Sequence, residues 1–179
     1  SRLITSEFVH LRQDGVSFLV SIASDLVQVL HWGSDLGADS DFQSILSATT
    51  EPTAHAEGDL PEQHGIWREA ARSTTGAPAL SGHRNGQDFS PLFVLDSFDA
   101  TDTTLVVNGV DRVAGLGIET SFRFVGAGVL VTATTVTNLA GGKYFVNELA
   151  SYLPLPDRAM ESLDFSGRWV KERQPVRRQ

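Results

Sequence analysis

Apolar and polar residues alternate along most of this chain, and the alternation begins near its start. Two short segments of this kind, residues 6–13 ("SEFVHLRQ") and 16–23 ("VSFLVSIA"), are separated by Asp14 and Gly15. An Asp-Gly pair favours the positive φ angles of a type I′ turn, so the pattern predicts a β-hairpin. A third short strand is predicted over residues 27–32.

One segment has the periodicity of a helix instead. In residues 41–48 ("DFQSILSA") the apolar side chains stand at positions 42, 45 and 46, which places them on one face of a helix. Asp41 comes immediately before them, and aspartate is a favoured N-cap residue. The pattern therefore predicts a two-turn helix here.

After Ser90 the strand pattern returns in five successive segments separated by Gly, Asn and Asp. They cover residues 91–98, 103–111, 115–126, 128–139 and 143–156. Val, Thr and Phe dominate them, as expected of pleated strands that pack on one another. The whole pattern predicts an all-β protein, an antiparallel β-sandwich with at most one or two short helices.

Two details of these strands carry separate predictions. Val129 and Val131 are expected on one face of the fourth segment, and Leu130 on the other. Asn108-Gly109 in the second segment suits either a hairpin turn or a bulge within one strand. The short runs on either side favour the bulge.

Residues 49–90 form the one long region without periodicity. They contain three of the seven prolines, several glycines, and the histidines at 55, 64 and 83. A stretch of this length in a compact domain is usually a functional loop or a set of short edge strands.

Composition and charge narrow the possible partners. The chain has 179 residues, 41% apolar residues and a net charge of −8. From Arg168 onward there are five basic residues and one acidic residue, so the rest of the chain carries −12. Such an acidic body repels phosphate backbones, which argues against nucleic acid as a partner. No apolar run approaches the length of a membrane helix, so no membrane partner is expected.

The absence of cysteine excludes disulfides, thiolate catalysis and cysteine-based zinc sites. It is compatible with a reducing compartment, and no signal peptide is visible, so we expect a cytoplasmic protein. The five histidines are too scattered for a metal site, and surface or structural roles are expected for them. We predict no metal and no cofactor.

The candidate chemistry lies in the region 49–90. Trp67 and Arg68 stand beside each other, and Arg84 follows on the same stretch. A tryptophan ring can stack on the apolar face of a pyranose, and arginine can fork to two sugar hydroxyls. The alternative is that Trp67 plugs the edge of the sandwich and Arg68 pairs with a neighbouring carboxylate, and the spacing alone favours this alternative.

The end of the chain resembles a known family. The segment "LPLP" at 153–156 is followed by "LDFSGRWVKERQPVRR" at 163–178, where Phe165, Gly167, Trp169 and Glu172 form the pattern Phe-x-Gly-x-Trp-x-x-Glu before a basic run. The segments "VLHWG", "GAPALSGHRNG", "GLGIETSFRF" and "VTATTVTNLAGGKYFV" precede it in order. This set is similar to the N-terminal domain of glycoside hydrolase family 36 α-galactosidases.

The resemblance implies a fold, a domain organisation and a function. The fold would be a β-supersandwich of the galactose-mutarotase-like type, over residues 1–167, and residues 168–179 would begin a linker towards a catalytic (β/α)8 barrel absent from this chain. The longer protein would hydrolyse terminal α-galactosides with retention, through two aspartates on that barrel. No catalytic residue is therefore expected here, and the chain alone should be inactive.

The resemblance also implies partners for these residues. In tetrameric members, a loop with the motif Gly-Asp-Phe-Arg approaches the active site of a neighbouring subunit. Its nearest match here is Gly65-Ile66-Trp67-Arg68, with Ile66 in place of the aspartate. The expected substrate-binding residues are therefore Trp67, Arg68 and Arg84. The expected partners are α-galactosides, the protein's own barrel and further copies in a homo-oligomer.

Two other functions fit an isolated sandwich. A stand-alone carbohydrate-binding module would need no barrel after it. An aldose-epimerase-like enzyme would need a histidine and a carboxylate that converge in a cleft, and the dispersed histidines do not favour it.

Overall fold

Antiparallel β-strands build most of the molecule. The computed structural model describes residues 7–23, 25–50, 65–72, 76–155 and 159–178. Its elements are β1 (Glu7–Gln13), β2 (Val16–Ile22), β3 (Val27–Ser34), α1 (Phe42–Thr49), a short 3₁₀ helix (Ala70–Arg72), β4 (Leu80–His83), β5 (Val94–Ala100), β6 (Thr104–Asp111), β7 (Leu116–Phe124), β8 (Leu130–Asn138), β9 (Phe145–Leu149), β10 (Ser162–Arg168) and β11 (Lys171–Arg178).

The first three strands form one sheet in the order β1-β2-β3. Asp14 and Gly15 join β1 to β2 with φ angles of 51° and 79°, so both central residues have the positive φ of the predicted type I′ turn. The predicted third strand is also present, but β3 continues through Gly33 to Ser34. It pairs with β2 along its whole length.

The predicted helix is confirmed as α1. The Asp41 side chain accepts hydrogen bonds from the Ser44 backbone N–H (3.1 Å) and hydroxyl (2.6 Å), as an N-cap residue does. With eight residues α1 is far too short to cross a bilayer, and no longer apolar helix occurs in the part of the chain that the structure describes.

A second sheet has the order β5-β6-β7-β8. Asn108 and Gly109 lie inside β6, so they do not form a hairpin turn. The pairing of β5 with β6 shifts between Leu95 and Ser97, which face Gly109 and Asn108. The irregularity predicted near Asn108 is therefore present, but the extra residue is Asp96 on the neighbouring strand.

The core lies between these two sheets. Phe18 on β2 and Phe122 on β7 are both fully buried, with ring centroids 4.9 Å apart. Leu11 and Val20 from the first sheet and Leu105 from the second belong to the same buried cluster. Two antiparallel sheets packed over one apolar core make a sandwich, so the predicted all-β sandwich with few helices is confirmed.

Two smaller sheets complete the chain. Strand β4 pairs with β9, which places part of the region 49–90 on the body of the molecule. The strand predicted over 143–156 is shorter than expected, because β9 ends at Leu149. Strands β10 and β11 form an antiparallel hairpin over the aromatic-basic segment, called the C-terminal hairpin from here on. The division of the chain at residue 168 stays a prediction.

Candidate functional site

The segment 65–68 crosses the sandwich between β3 and β4. The Ile66 N–H donates to the Val27 carbonyl at 2.8 Å, and the Ala79 N–H donates to the Arg68 carbonyl at 2.8 Å. Ile66 is only 5% exposed and belongs to the core cluster. The apolar residue at the position of the family's aspartate is thus a core residue, where a carboxylate would be desolvated.

Trp67 is enclosed by β6, β7 and the segment before β5. Its side chain is 6% exposed, and its indole N–H donates to the Thr120 hydroxyl at 3.0 Å. The Phe93 ring meets it edge-on with centroids 5.9 Å apart. Gly109 faces the indole, and any Cβ there would collide with its six-membered ring. This is the geometry that the internal-plug alternative describes.

A cleft beside Trp67 and Arg68 is too small for a sugar. Its volume is about 20 Å³, and it continues between Pro78 and Phe89. A volume of roughly 10–15 Å³ already suits one water, so this cleft has room for about one water molecule. The cleft therefore cannot enclose a pyranose. A sugar could contact the segment 65–68 only at its surface, as in the neighbouring-subunit arrangement implied by the resemblance.

Arg68 and Arg84 are engaged by different parts of the chain. The Arg68 guanidinium carbon lies 4.8 Å from the centroid of the Tyr152 ring, in cation–π geometry. Arg84 donates to the Asp88 carboxylate (3.2 Å), the carbonyls of Gly141 (2.9 Å) and Ala114 (3.1 Å), and the Asn138 side-chain oxygen (2.9 Å); these contacts tie three loops together. Sugar binding by Trp67, Arg68 and Arg84 stays a prediction.

From the sequence, Glu69 was expected only as a neighbouring surface carboxylate that could pair with Arg68, but the structure places it beside Trp67 in the interior. The carboxylate is 4% exposed, accepts the Phe93 N–H at 2.5 Å and pairs with Arg72 at 2.5 Å. Burial raises the pKa of Glu69 above its ordinary value. The hydrogen bond from Phe93 and the ion pair with Arg72 lower this pKa, but they offset the rise only in part. Its position after the Trp-Arg pair gave no signal of burial.

Asp111 is the other buried carboxylate among the described residues. It accepts backbone N–H groups of Leu92 (2.8 Å), Val113 (2.8 Å) and Ala114 (2.9 Å). These bonds hold the turn between β6 and β7 against the chain before β5. Both buried carboxylates are therefore used by the fold itself.

Three of the five histidines lie within the described residues: His10 on β1 and His31 on β3 flank Leu19 of β2 in the first sheet, and His83 lies on β4. His10 hydrogen-bonds to the Ser17 hydroxyl at 2.8 Å, and His31 to the Ser34 carbonyl at 2.9 Å. His83 accepts the Gly86 N–H at 3.2 Å and packs beside Phe145. No group of three metal-ligating side chains occurs in the described parts of the chain. His55 and His64 lie outside those parts.

Comparison with known families identifies the domain. The model of the glycosyl hydrolase family 36 N-terminal domain matches residues 25–179. The chain belongs to this family. This confirms the resemblance carried by Phe165, Gly167, Trp169 and Glu172, all of which lie in or beside the C-terminal hairpin.

Individual relatives agree with this assignment. The chain is 34% identical over 167 residues to an α-galactosidase of Escherichia coli, a match that covers 89% of this chain and 23% of that protein. The α-galactosidase of Lactobacillus brevis has the same fold at a TM-score of 0.77 and 18% identity, over 95% of this chain and 27% of that one. A family 36 α-galactosidase of Geobacillus stearothermophilus gives a TM-score of 0.69 at 14% identity, over 96% and 28%.

Proposed function

We propose that this domain serves an α-galactosidase that hydrolyses terminal α-galactosides with retention, and that the domain itself supplies no catalytic group. The observation that carries the proposal is the 34% identity to an α-galactosidase across 89% of the chain. The chain spans about a quarter of that relative, so the chemistry is assigned to a catalytic barrel outside these residues. The fold supports this division. The two buried carboxylates already have structural partners: Glu69 accepts a backbone N–H and pairs with Arg72, and Asp111 accepts backbone N–H groups.

The test compares two polypeptides on a nitrophenyl α-galactoside. A longer protein that carries this chain and its barrel should release nitrophenol, with α-galactose as the first product seen by NMR. The chain of 179 residues should release no more than a control without enzyme. Turnover by the chain alone would overturn its accessory role, and β-galactose as the first product would overturn retention.

The C-terminal hairpin supports a contact with the barrel. Phe165 is 66% exposed and Trp169 is 89% exposed, and basic residues surround them. Exposed aromatic side chains beside arginines are typical of interface anchors. We assign this hairpin to the contact between the domain and the catalytic barrel of the same protein.

Arg68 is the favoured contact to a sugar in a neighbouring subunit. Trp67 would act behind it by holding the segment 65–68 in place, since its ring is enclosed. In the longer protein Arg68→Ala should lower the kcat/KM of the folded fraction. Arg84→Ala, which removes four hydrogen bonds between loops, should lower the melting temperature as well. Unchanged kcat/KM in Arg68→Ala would remove Arg68 from the site.

A sugar contact between subunits requires a homo-oligomer, which we propose for the longer protein. Light scattering after size-exclusion chromatography measures its mass, and a monomer would exclude the contact in trans.

We also propose a cytoplasmic location, in line with a chain that has no cysteine. Cell fractionation followed by an activity assay tests it.

A further inference from the structure

The outer face of the second sheet carries a row of polar side chains across three neighbouring strands. Asn108 on β6 lies opposite Glu119 on β7, which lies opposite Thr135 on β8. The alternation of each strand turns these side chains away from the core, since their neighbours Val107, Ile118 and the inner face of β8 point inward. Within the described part of the chain, none of the three side chains takes part in a hydrogen bond to protein.

A notch lies beside this row, because the position two residues before Glu119, on the same face of β7, is a glycine. Gly117 stands between Val110 and Thr137 in the register of the three strands. A Cβ at Gly117 would lie 3.4 Å from the Leu139 side chain and 3.8 Å from Thr137, so the notch has walls on that side. The missing side chain leaves space above the sheet that the neighbouring residues do not fill.

The notch and the polar row belong to one open groove of about 380 Å³. Asp96, the extra residue of β5, and Arg112 lie at its other side, with 3.4 Å between their charged atoms. The volume falls within the range of roughly 300–1,000 Å³ found for small-molecule sites. It is much larger than the cleft of about 20 Å³ beside Trp67.

The chemistry of the groove suits a neutral polyhydroxylated ring. Leu139 is exposed and offers an apolar surface, while an amide, a carboxylate and hydroxyls offer both donors and acceptors around it. Asp96 and Glu119 outnumber Arg112, so an anion would be repelled. We propose that this groove, on the outer face of β6, β7 and β8, binds a saccharide ring at a site separate from the segment 65–68.

Binding is tested on the chain of 179 residues by NMR titration of its backbone amides with methyl α-galactoside and with methyl α-glucoside. Saturable shifts are expected at residues 108–110, 117–119 and 135–137 for at least one of the two. Galacturonate should bind more weakly than the neutral sugars. No saturable shift with either glycoside, or shifts centred elsewhere, would overturn the proposal.

Two variants and one control sharpen the test. Gly117→Val should abolish binding because its side chain fills the notch, and valine is well tolerated in a strand. Thr135→Val keeps the shape, removes one hydroxyl and should weaken binding about three- to tenfold, the loss of one hydrogen bond between uncharged groups. Ser121→Val, on the same face of β7 but outside the groove, should leave binding unchanged.

Each result decides the proposal. Loss of binding in Gly117→Val at an unchanged melting temperature supports it, and if that variant folds poorly, Thr135→Val carries the test alone. Wild-type affinity in Thr135→Val and Gly117→Val would overturn it. The readout is binding to this chain, so the result is independent of the hydrolase activity proposed for the longer protein.

Discussion

The chain contains two tryptophan-arginine pairs with opposite surroundings. Trp67 lies in the core of the sandwich, where its indole is 6% exposed and hydrogen-bonded to Thr120, and Arg68 beside it is half-buried. Arg168-Trp169 lies at the tip of the C-terminal hairpin, where the indole is 89% exposed. The tryptophan of the same pair of residue types is thus a core residue in one region and an exposed residue in the other.

The two regions differ because the segment 65–68 packs against the sandwich, whereas β10 and β11 pair only with each other. The segment 65–68 is bonded to β3 and to the residue before β4, and the missing side chain of Gly109 makes room for the indole. Strands β10 and β11 pair with each other, and their residues stay exposed almost throughout. An aromatic residue beside an arginine therefore predicts neither burial nor exposure, because a distant residue such as Gly109 decides it.

The largest effect is expected for Trp67→Ala. Truncation leaves a cavity in the core and should reduce the free energy of unfolding by about 3–5 kcal/mol. Urea denaturation followed by circular dichroism measures the change. A loss below about 1 kcal/mol would mean that the indole is not a core element, and the contrast with Trp169 would disappear.

Gly109→Ala should have the next largest effect. The new methyl group would collide with the Trp67 ring and cost about 1–3 kcal/mol of stability. Gly117→Ala on the outer face of the same sheet is the matched control and should change stability little. In the double variant Gly109→Ala with Trp67→Phe, the smaller ring should relieve part of the collision, so additive losses would argue against direct contact.

Glu69→Gln should alter how stability depends on pH. Burial raises the pKa of Glu69, so its contribution to stability is full below about its ordinary value of 4.5 and is lost as pH rises through the folded pKa. Glutamine does not ionise and escapes this loss. The stability of Glu69→Gln relative to wild type should therefore increase from about pH 4 to about pH 7.

Melting temperatures of both proteins across that range measure the difference. The bond and charge of Arg72 lower the pKa of Glu69 and are already part of its net rise, so they do not reverse this trend with pH. A constant difference, or one that moves in favour of the wild type as pH rises, would show that the carboxylate is ionised in the fold without cost.

The smallest effect is expected for Trp169→Ala in the chain of 179 residues. The side chain is almost fully exposed, so stability should change by less than about 0.5 kcal/mol. The same change in the longer protein should be clearly destabilising if the barrel covers this residue. Equal, small effects in both proteins would remove the hairpin from the proposed contact.

Local features were predictable from the sequence because local chemistry determines them. The turn at Asp14-Gly15 follows from the two residues that tolerate positive φ there, and α1 follows from the Asp41 cap and the spacing of its apolar residues. The faces of β8 follow from strict alternation, with Leu130 on the half-buried face and Val131 exposed. Each depends on residues no more than a few positions apart.

The candidate site was predictable only in part. The sequence identified Trp67, Arg68 and Arg84 as unusual, but their surroundings come from distant strands. Thr120 and Gly109 bracket Trp67, and three of the four acceptors of Arg84 lie 30 or more positions along the chain. Glu69 gave no sequence signal at all, since a glutamate between arginines is usually a solvated residue.

The sequence by itself determined the strand periodicity, the turns, the helix cap and the family. Periodicity states which side chains share a face, and it does not state which face another sheet will cover. The tertiary structure decided that Ile66 and Trp67 enter the core, that the extra residue of the bulge is Asp96, and that the C-terminal hairpin stays exposed. These outcomes depend on contacts between residues far apart in the chain. Which side chains are buried, and how much space each one has, is determined by the packing of the whole fold.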